Sequence, residues 1–159
     1  MGGNINIRIL SPKKEPENRR TLSYARGLVY TYHAVIRLRD TDATGVIYFT
    51  EQMRLAVEAF EQFLMDRGFS LAKLIDVENF VIPIVHAEAD YLVPLRVGDR
   101  VVIEIEIANI GESSFTTCFQ LSTQENEIGK VSLVHVVVSK KTQKSIPIPA
   151  VLLSHLQAL

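Results

Sequence analysis

One long amphipathic helix pattern stands alone among strand patterns in this chain, and that isolation restricts the fold more than any other feature. Met53, Ala56, Val57, Phe60, Phe63 and Leu64 recur at steps of three and four, while Arg54, Glu58, Glu61 and Gln62 take the opposite side. Gly68, just past Arg67, offers a stop, because glycine enters the left-handed conformation that ends helices. On either side of this segment the apolar period changes to two. Tyr30, Tyr32, Ala34, Ile36 and Leu38 alternate with Thr31, His33 and Arg37, which predicts a strand running from Leu28. Residues 81–92, 100–109, 114–123 and 129–140 predict four more, separated by the turn compositions PLRVGD, NIGES and QENE. A parallel sheet needs more crossover helices than these residues offer. The fold class is therefore α+β, an antiparallel sheet wrapped around one long central helix. The tail IPIPAVLLSHLQAL predicts an extended segment and then a short terminal helix, since Pro149 suits a helix start.

A chain of 159 residues, 47% apolar and with a net charge of −1, describes one globular domain with a proper core. Residues 1–26 stand apart from it. The run SPKKEPENRR has no apolar period, and Arg8, Lys13, Lys14, Arg19, Arg20 and Arg26 outnumber Glu15 and Glu17, so a flexible basic arm is expected ahead of a domain at 27–159. Scattered cations without interleaved aromatics point to a solvated tail, and no nucleic-acid partner is expected. The single cysteine, Cys118, excludes an intramolecular disulfide and a cysteine-based zinc site, and the expected compartment is cytoplasmic. No stretch approaches the roughly 20 apolar residues of a membrane span, and the first residues lack the apolar run of a signal peptide.

Chemistry is concentrated at RDTDATGVIYFTEQ, residues 39–52, directly ahead of the helix. Aspartates in such a place ordinarily form turns and caps. A helix start also presents unsatisfied amides and a positive dipole end, a ready site for a developing oxyanion. A carboxylate and an oxyanion site thus fall within a few residues of each other.

The run DTDATGVIYF, followed by IPIVHAEADYLVPLRVGD, GESSF and KTQKSIPIP, resembles the hotdog-fold acyl-CoA thioesterases of the 4-hydroxybenzoyl-CoA thioesterase type over about Tyr30 to Leu156. The DTD and YF pairs are similar to the branch that cleaves 1,4-dihydroxy-2-naphthoyl-CoA. The resemblance implies a hotdog fold and hydrolysis of an aromatic acyl-CoA to the free acid and CoA. It puts Asp42 in the role of nucleophile or general base and makes Asp40 a structural or orienting partner. The oxyanion donor it implies is a backbone amide in the Tyr48–Phe49 stretch, with Gly45 and Val46 lining the approach. Thr50, Glu51 and Gln52 depart from the Asn or Ser frequent at this helix start, and Phe49 stands where another branch carries His. Glu51 is a secondary catalytic candidate, although an acid in the first turn is ordinarily there for the dipole. No metal or organic cofactor is implied, coenzyme A being part of the substrate. A homodimer or homotetramer with its site at the subunit boundary is implied.

Other candidates have ordinary readings of comparable weight. Lys140, Lys141, Lys144 and Arg96 are candidates for the CoA phosphates or for a solvated turn. Ser113 and Ser114 either contact ligand or close their hairpin. His86, Glu88 and Asp90 alternate along one strand face, but with no fourth ligand evident a polar row is expected rather than a metal site. His33, His135 and His155 are expected to be satisfied or exposed, and Cys118 to be packing. Val101, Val102, Ile103, Val136, Val137 and Val138 are apolar on both alternations, so a monomer is expected to leave apolar surface and a sheet edge in water. Rival functions are an acyl-carrier-protein thioesterase, a hydratase or dehydratase on the same fold, which would want a histidine close to the helix, and a non-catalytic acyl-CoA sensor or interaction module.

Overall fold

The computed structural model describes residues 30–124 and 126–158. The expected basic arm, and the start of the first strand at Leu28, lie outside the described residues. In chain order the elements are β1 (Tyr30–Val35), a single 3-10 turn (Leu38–Asp40), α1 (Glu51–Asp66), α2 (Leu71–Asp76), β2 (Phe80–Val81), β3 (Ile84–Tyr91), β4 (Arg100–Ile110), β5 (Ser114–Ser122), β6 (Glu127–Val136), β7 (Val138–Ser139) and α3 (Ala150–Leu156). Five strands form one antiparallel sheet in the order β1-β4-β5-β6-β3, and β2 pairs with β7 separately.

The helix lies where its apolar stripe directs it. Leu55, Ala56, Ala59, Phe60, Phe63 and Leu64 are buried, and they share the core with the inward alternation of the sheet, including Ile103, Ile105, Phe115, Phe119, Leu121, Val131 and Leu133. Arg67 closes α1 and Gly68 follows at φ +82°, the left-handed stop that the sequence predicts. α3 follows Pro149 as expected and buries Leu152 and Leu156. No described helix is long and apolar enough to cross a membrane.

Several expectations about elements fail for identifiable reasons. The first strand stops at Val35 rather than running through Leu38, which is 78% exposed. There the chain turns away, because the Asp40 carboxylate accepts from the Arg37 amide at 2.7 Å and closes the 3-10 turn. α2 was not expected; its start is fixed by Ser70, whose hydroxyl accepts from the Lys73 amide, and it buries only Leu74. The strands expected at 81–92 and 129–140 each divide in two, at Ile82–Pro83 and at Val137. The most exposed apolar side chains near the sheet are also not the predicted valines. Val101, Ile103 and Val137 are buried, whereas Ile84, Val85, Tyr91, Leu92 and Val93, on and just beyond the edge strand β3, are exposed.

The register gives the sheet two distinct ends. One gathers the starts of β4 and β6, the ends of β1, β3 and β5, and the N-terminus of α1. The other gathers the β4–β5 turn, the end of β6 and the start of β3, while α1 ends nearer mid-sheet, where Tyr30, opposite Ile105, donates its hydroxyl to Asp66. The 11 residues of β4 separate the two ends by roughly 35 Å.

Candidate active site

The motif folds into a small hairpin ahead of α1. Thr41 and Ile47 pair across it, the Asp42 amide donates to the Val46 carbonyl at 2.9 Å, and the Gly45 amide donates to the Asp42 carbonyl at 3.0 Å. Gly45 sits at φ +75°, a conformation that a side chain would strain. At the tip, Asp42 Oδ1 accepts from the Thr44 hydroxyl at 2.6 Å and from the Thr44 amide at 2.7 Å. The hydroxyl bond first, and the amide bond after it, hold the Asp42 carboxyl below the usual carboxylate value, so it is ionised at neutral pH. The Val46 amide lies near enough to lower the carboxyl slightly further, but among the described residues no hydrogen bond of normal geometry reaches Oδ2, and the side chain is exposed. The ordinary turn role therefore occupies one oxygen of Asp42 and leaves the other available.

Asp40 lies behind this tip and is only 2% exposed. Its Oδ2 takes the Arg37 amide, its Oδ1 takes Arg54 Nη2 at 3.2 Å, and its carbonyl accepts the Tyr48 amide at 2.9 Å. Arg54 also donates to Glu51 and, at 2.7 Å, to Glu58, which in turn accepts from the Tyr32 hydroxyl at 2.9 Å. The Glu51 bond leads in raising the Arg54 pKa above its ordinary value. The Glu51 carboxylate is thus committed to an ion pair.

The two candidate oxyanion amides differ. Tyr48 N–H is engaged by Asp40, whereas Phe49 N–H has no acceptor among the described residues. The Phe49 carbonyl accepts from the Tyr91 hydroxyl, which ties the motif to the end of β3. The Tyr48 and Phe49 rings are exposed and lie 4.8 Å apart, centroid to centroid. Val46 pairs with Arg96, and the Ile47 amide donates to the Leu95 carbonyl at 2.8 Å, so the PLRVGD turn brings Arg96 beside the motif.

Gln52 is a functional-end residue whose role its residue type conceals, since it is polar yet lies four residues ahead of Ala56 on the buried stripe of α1. It is 2% exposed, and its Nε2 donates to the carbonyls of Asp90 at 2.8 Å and Lys130 at 3.3 Å, fastening the start of α1 to β3 and β6. Gly129 makes the approach possible: a Cβ there would lie 2.4 Å from the Asp90 carbonyl oxygen and 2.5 Å from Gln52 Nε2.

The remaining candidates are elsewhere. Ser113 and Ser114 occupy the far end of the sheet, where the Ser113 carbonyl accepts the Val137 amide. Lys140 Nζ donates to the carbonyls of Leu74 at 2.9 Å and Ile75 at 2.6 Å, so it caps the end of α2 and is not a free phosphate ligand. Lys141 and Lys144 are exposed on the same hairpin. Within one protomer none of these meets Asp42. His86 and Glu88 approach to 3.8 Å on an exposed face, and no metal-holding cluster of three forms among the described residues. His33 is exposed, and the His155 ring meets Phe69 edge-on. His135 is buried, stacked on Phe115 at 4.6 Å and bonded through Nε2 to the Thr117 hydroxyl at 3.0 Å, and desolvation lowers its pKa to about 4. Burial pushes the Cys118 thiol up despite an opposing hydrogen bond with Ser132, as suits packing. Clefts form between Pro94 and Asn126 and on the outer sheet face around Glu88, Glu106 and Lys130, but neither is lined by Asp42 or Phe49.

Residues 36–156 match the thioesterase-like superfamily. A 1,4-dihydroxy-2-naphthoyl-CoA hydrolase from Synechococcus elongatus is 33% identical over 129 residues, 80% of this chain and 95% of that protein. One from Rippkaea orientalis is 34% identical over 130 residues, 80% and 94% respectively. The crystal structure of a 1,4-dihydroxy-2-naphthoyl-CoA thioesterase from Synechocystis superposes with a TM-score of 0.78 at 28% identity, covering 82% of this chain and 97% of the other. That of a gentisyl-coenzyme A thioesterase superposes at 0.72 with 27% identity, covering 80% and 99%. With the hotdog arrangement of one long helix against an antiparallel sheet, and the match spanning both the motif loop and the sheet, the chain belongs to the thioesterase-like superfamily.

Proposed function

We propose that this protein hydrolyses an aromatic acyl-CoA thioester, with 1,4-dihydroxy-2-naphthoyl-CoA as the favoured substrate, using Asp42 and the Phe49 amide. The observation that carries the chemistry is their pairing on one short segment: an ionised carboxylate with Oδ2 free, and an amide with no acceptor among the described residues. Asp42 either attacks the thioester carbon or takes a proton from an attacking water. In both routes negative charge moves to the carbonyl oxygen, which the Phe49 N–H and the positive end of α1 stabilise. The C–S bond then breaks and CoA leaves, its thiolate taking up a proton. In the covalent route water opens the resulting mixed anhydride and releases the acid. The exposed Tyr48 and Phe49 rings supply a surface for an aromatic acyl group.

The oligomer follows from the same surface. Asp42 stands on open surface in one protomer, while β3 offers an unpaired edge with Ile84, Val85 and Tyr91 in water. Two-fold antiparallel pairing along β3 covers that edge and sets the far end of one sheet beside the Asp42 end of the other. Ser113, Ser114, Lys141 and Lys144 of one copy then face the motif of the second, where the lysines and Arg96 meet the CoA phosphates. We therefore assign a homodimer as the active unit, with further pairing into a tetramer, and a basic arm at 1–26 ahead of the catalytic domain.

Release of free thiol from a panel of aromatic and aliphatic acyl-CoAs tests the activity, and sedimentation at micromolar concentration tests the assembly. The expected result is aromatic thioesters cleaved preferentially by a dimer or tetramer. No thiol release from any aromatic ester would refute the first part, and a fully active monomer the second.

A further inference from the structure

We propose that Arg54 is a positioning residue for thioester cleavage, acting through Asp40 to fix the distance between the Asp42 carboxylate and the Phe49 amide. The inference rests on the reading that those two groups do the chemistry. Asp40 is held at three atoms by three different parts of the chain: Oδ2 by the Arg37 amide at the exit from β1, Oδ1 by Arg54 on α1, and its carbonyl by the Tyr48 amide. Asp42 follows Asp40 by two residues and Phe49 follows Tyr48 by one, so both reacting groups hang from this single anchor.

Arg54 gives the anchor its rigidity. Its guanidinium donates through Nε to Glu51, through Nη1 to Glu58 and through Nη2 to Asp40, and Glu58 is itself held by the Tyr32 hydroxyl of β1. A planar group with each nitrogen on a separate carboxylate has little freedom to rotate, which a lysine ammonium lacks the geometry to imitate. Stability alone is a poor reason for this arrangement. A carboxylate as deeply buried as Asp40 carries a desolvation cost, and an apolar residue of similar size would avoid it. What an apolar residue would not supply is a directional tether from helix to loop. Displacements of about 1 Å in such geometry lower rates by about two orders of magnitude.

The test is a double-mutant cycle with Arg54→Gln and Asp42→Asn in the full chain, reading kcat and KM for an aromatic acyl-CoA, with circular dichroism and sedimentation to confirm fold and assembly. Arg54→Gln should lower kcat about tenfold or more while KM changes less than about threefold, and in the Asp42→Asn background the same change should cost less than about twofold. A purely structural Arg54 would give equal losses in both backgrounds, and that result, or an unchanged kcat, overturns the proposal. Should Arg54→Gln not fold, Asp40→Asn serves in the same cycle, since it keeps the shape and an acceptor for Arg37 but removes the charge that Arg54 holds; additive losses there overturn the proposal too. Full turnover by Asp42→Asn alone would instead overturn the underlying assignment of Asp42.

Discussion

The two ends of the sheet carry similar side chains but differ in what those side chains have left to offer. At the far end, Lys140 is satisfied by two carbonyls of α2, the Ser113 carbonyl holds the Val137 amide, and the Glu112 carbonyl holds the Ile148 amide. At the near end, the Asp40, Arg54, Glu51 and Gln52 side chains are equally engaged, yet they surround a carboxylate oxygen and several helix-start amides, Phe49 among them, with no protein partner among the described residues. A polar residue type near a turn therefore says little. What marks the near end is unused hydrogen-bonding capacity on a carboxylate and on helix-start amides within one short segment.

The comparison is broken most directly at Asp42. Asp42→Asn keeps shape but cannot act as base or nucleophile, so kcat should fall by about 10² to 10⁴ with fold and ligand binding retained. Ser113→Ala at the far end should change kcat less than tenfold, about what the loss of a single ligand contact allows. Thiol-release assays on both variants check the pair, and a reversed ranking would move the chemistry to the other end.

The next effect separates site from core by pH. Asp42 is held below the usual carboxylate value by Thr44, so its charge persists as pH falls from 7 to 5. His135 behaves oppositely. Its folded pKa, about 4, lies below the ordinary value of 6.5, so between those values the unfolded chain binds the extra proton and stability falls as pH falls. The shift corresponds to roughly 3 kcal/mol, fully lost by about pH 4 and fully present above about pH 7. Thermal melts from pH 7.5 to 4 should show this loss, and His135→Leu should flatten it. A melting temperature equally steep in both proteins would show that His135 is not the source.

Much of this was legible in the sequence because it rests on period and on local turn chemistry. The stripe from Met53 to Leu64 gave α1, Gly68 its end, and the alternating segments at 100–109 and 114–123 gave strands close to β4 and β5. What escaped depends on contacts between segments distant in sequence. Leu38 fits a strand until the Asp40 carboxylate draws the Arg37 amide out of line. Gln52 lies on the buried stripe one turn ahead of Ala56, but the carbonyls it fastens, those of Asp90 and Lys130, are distant in sequence. Lys140 reads as a free cation because nothing nearby in the sequence reveals that α2 ends beside it. At the site the residue types were visible, but which of the Tyr48 and Phe49 amides would be engaged was not, since that depends on the Asp40 carbonyl meeting Tyr48 rather than Phe49.

Gly129 tests how tightly the near end is closed. Gly129→Ala forces its Cβ against the Asp90 carbonyl and the Gln52 amide, and one of the two must give. A destabilisation of about 1–3 kcal/mol is expected from the overpacking, accompanied by lower turnover because the start of α1 moves with Gln52. Denaturant unfolding combined with the thiol assay checks both. Loss of stability with turnover unchanged would show that the Gln52 fastening does not set the site.

The smallest effect is expected at Lys140, and it sharpens the comparison from the far end. Lys140 Nζ caps carbonyls at the end of α2, where a cation also favours the negative end of the helix dipole. α2 is a short helix burying only Leu74, so its loss of order should stay local. Lys140→Ala should therefore cost about 0.3–1 kcal/mol in stability and leave KM for the acyl-CoA within about twofold. Lys141→Ala and Lys144→Ala should do the reverse, leaving stability unchanged and raising KM in a way that high salt masks, because exposed charges meeting a phosphate are screened. The three variants share a hairpin and a charge but differ in whether the ammonium is already engaged. If Lys140→Ala raised KM as much as its neighbours while the melting temperature held, the cap would be dispensable, and the lysine would count among the free cations after all.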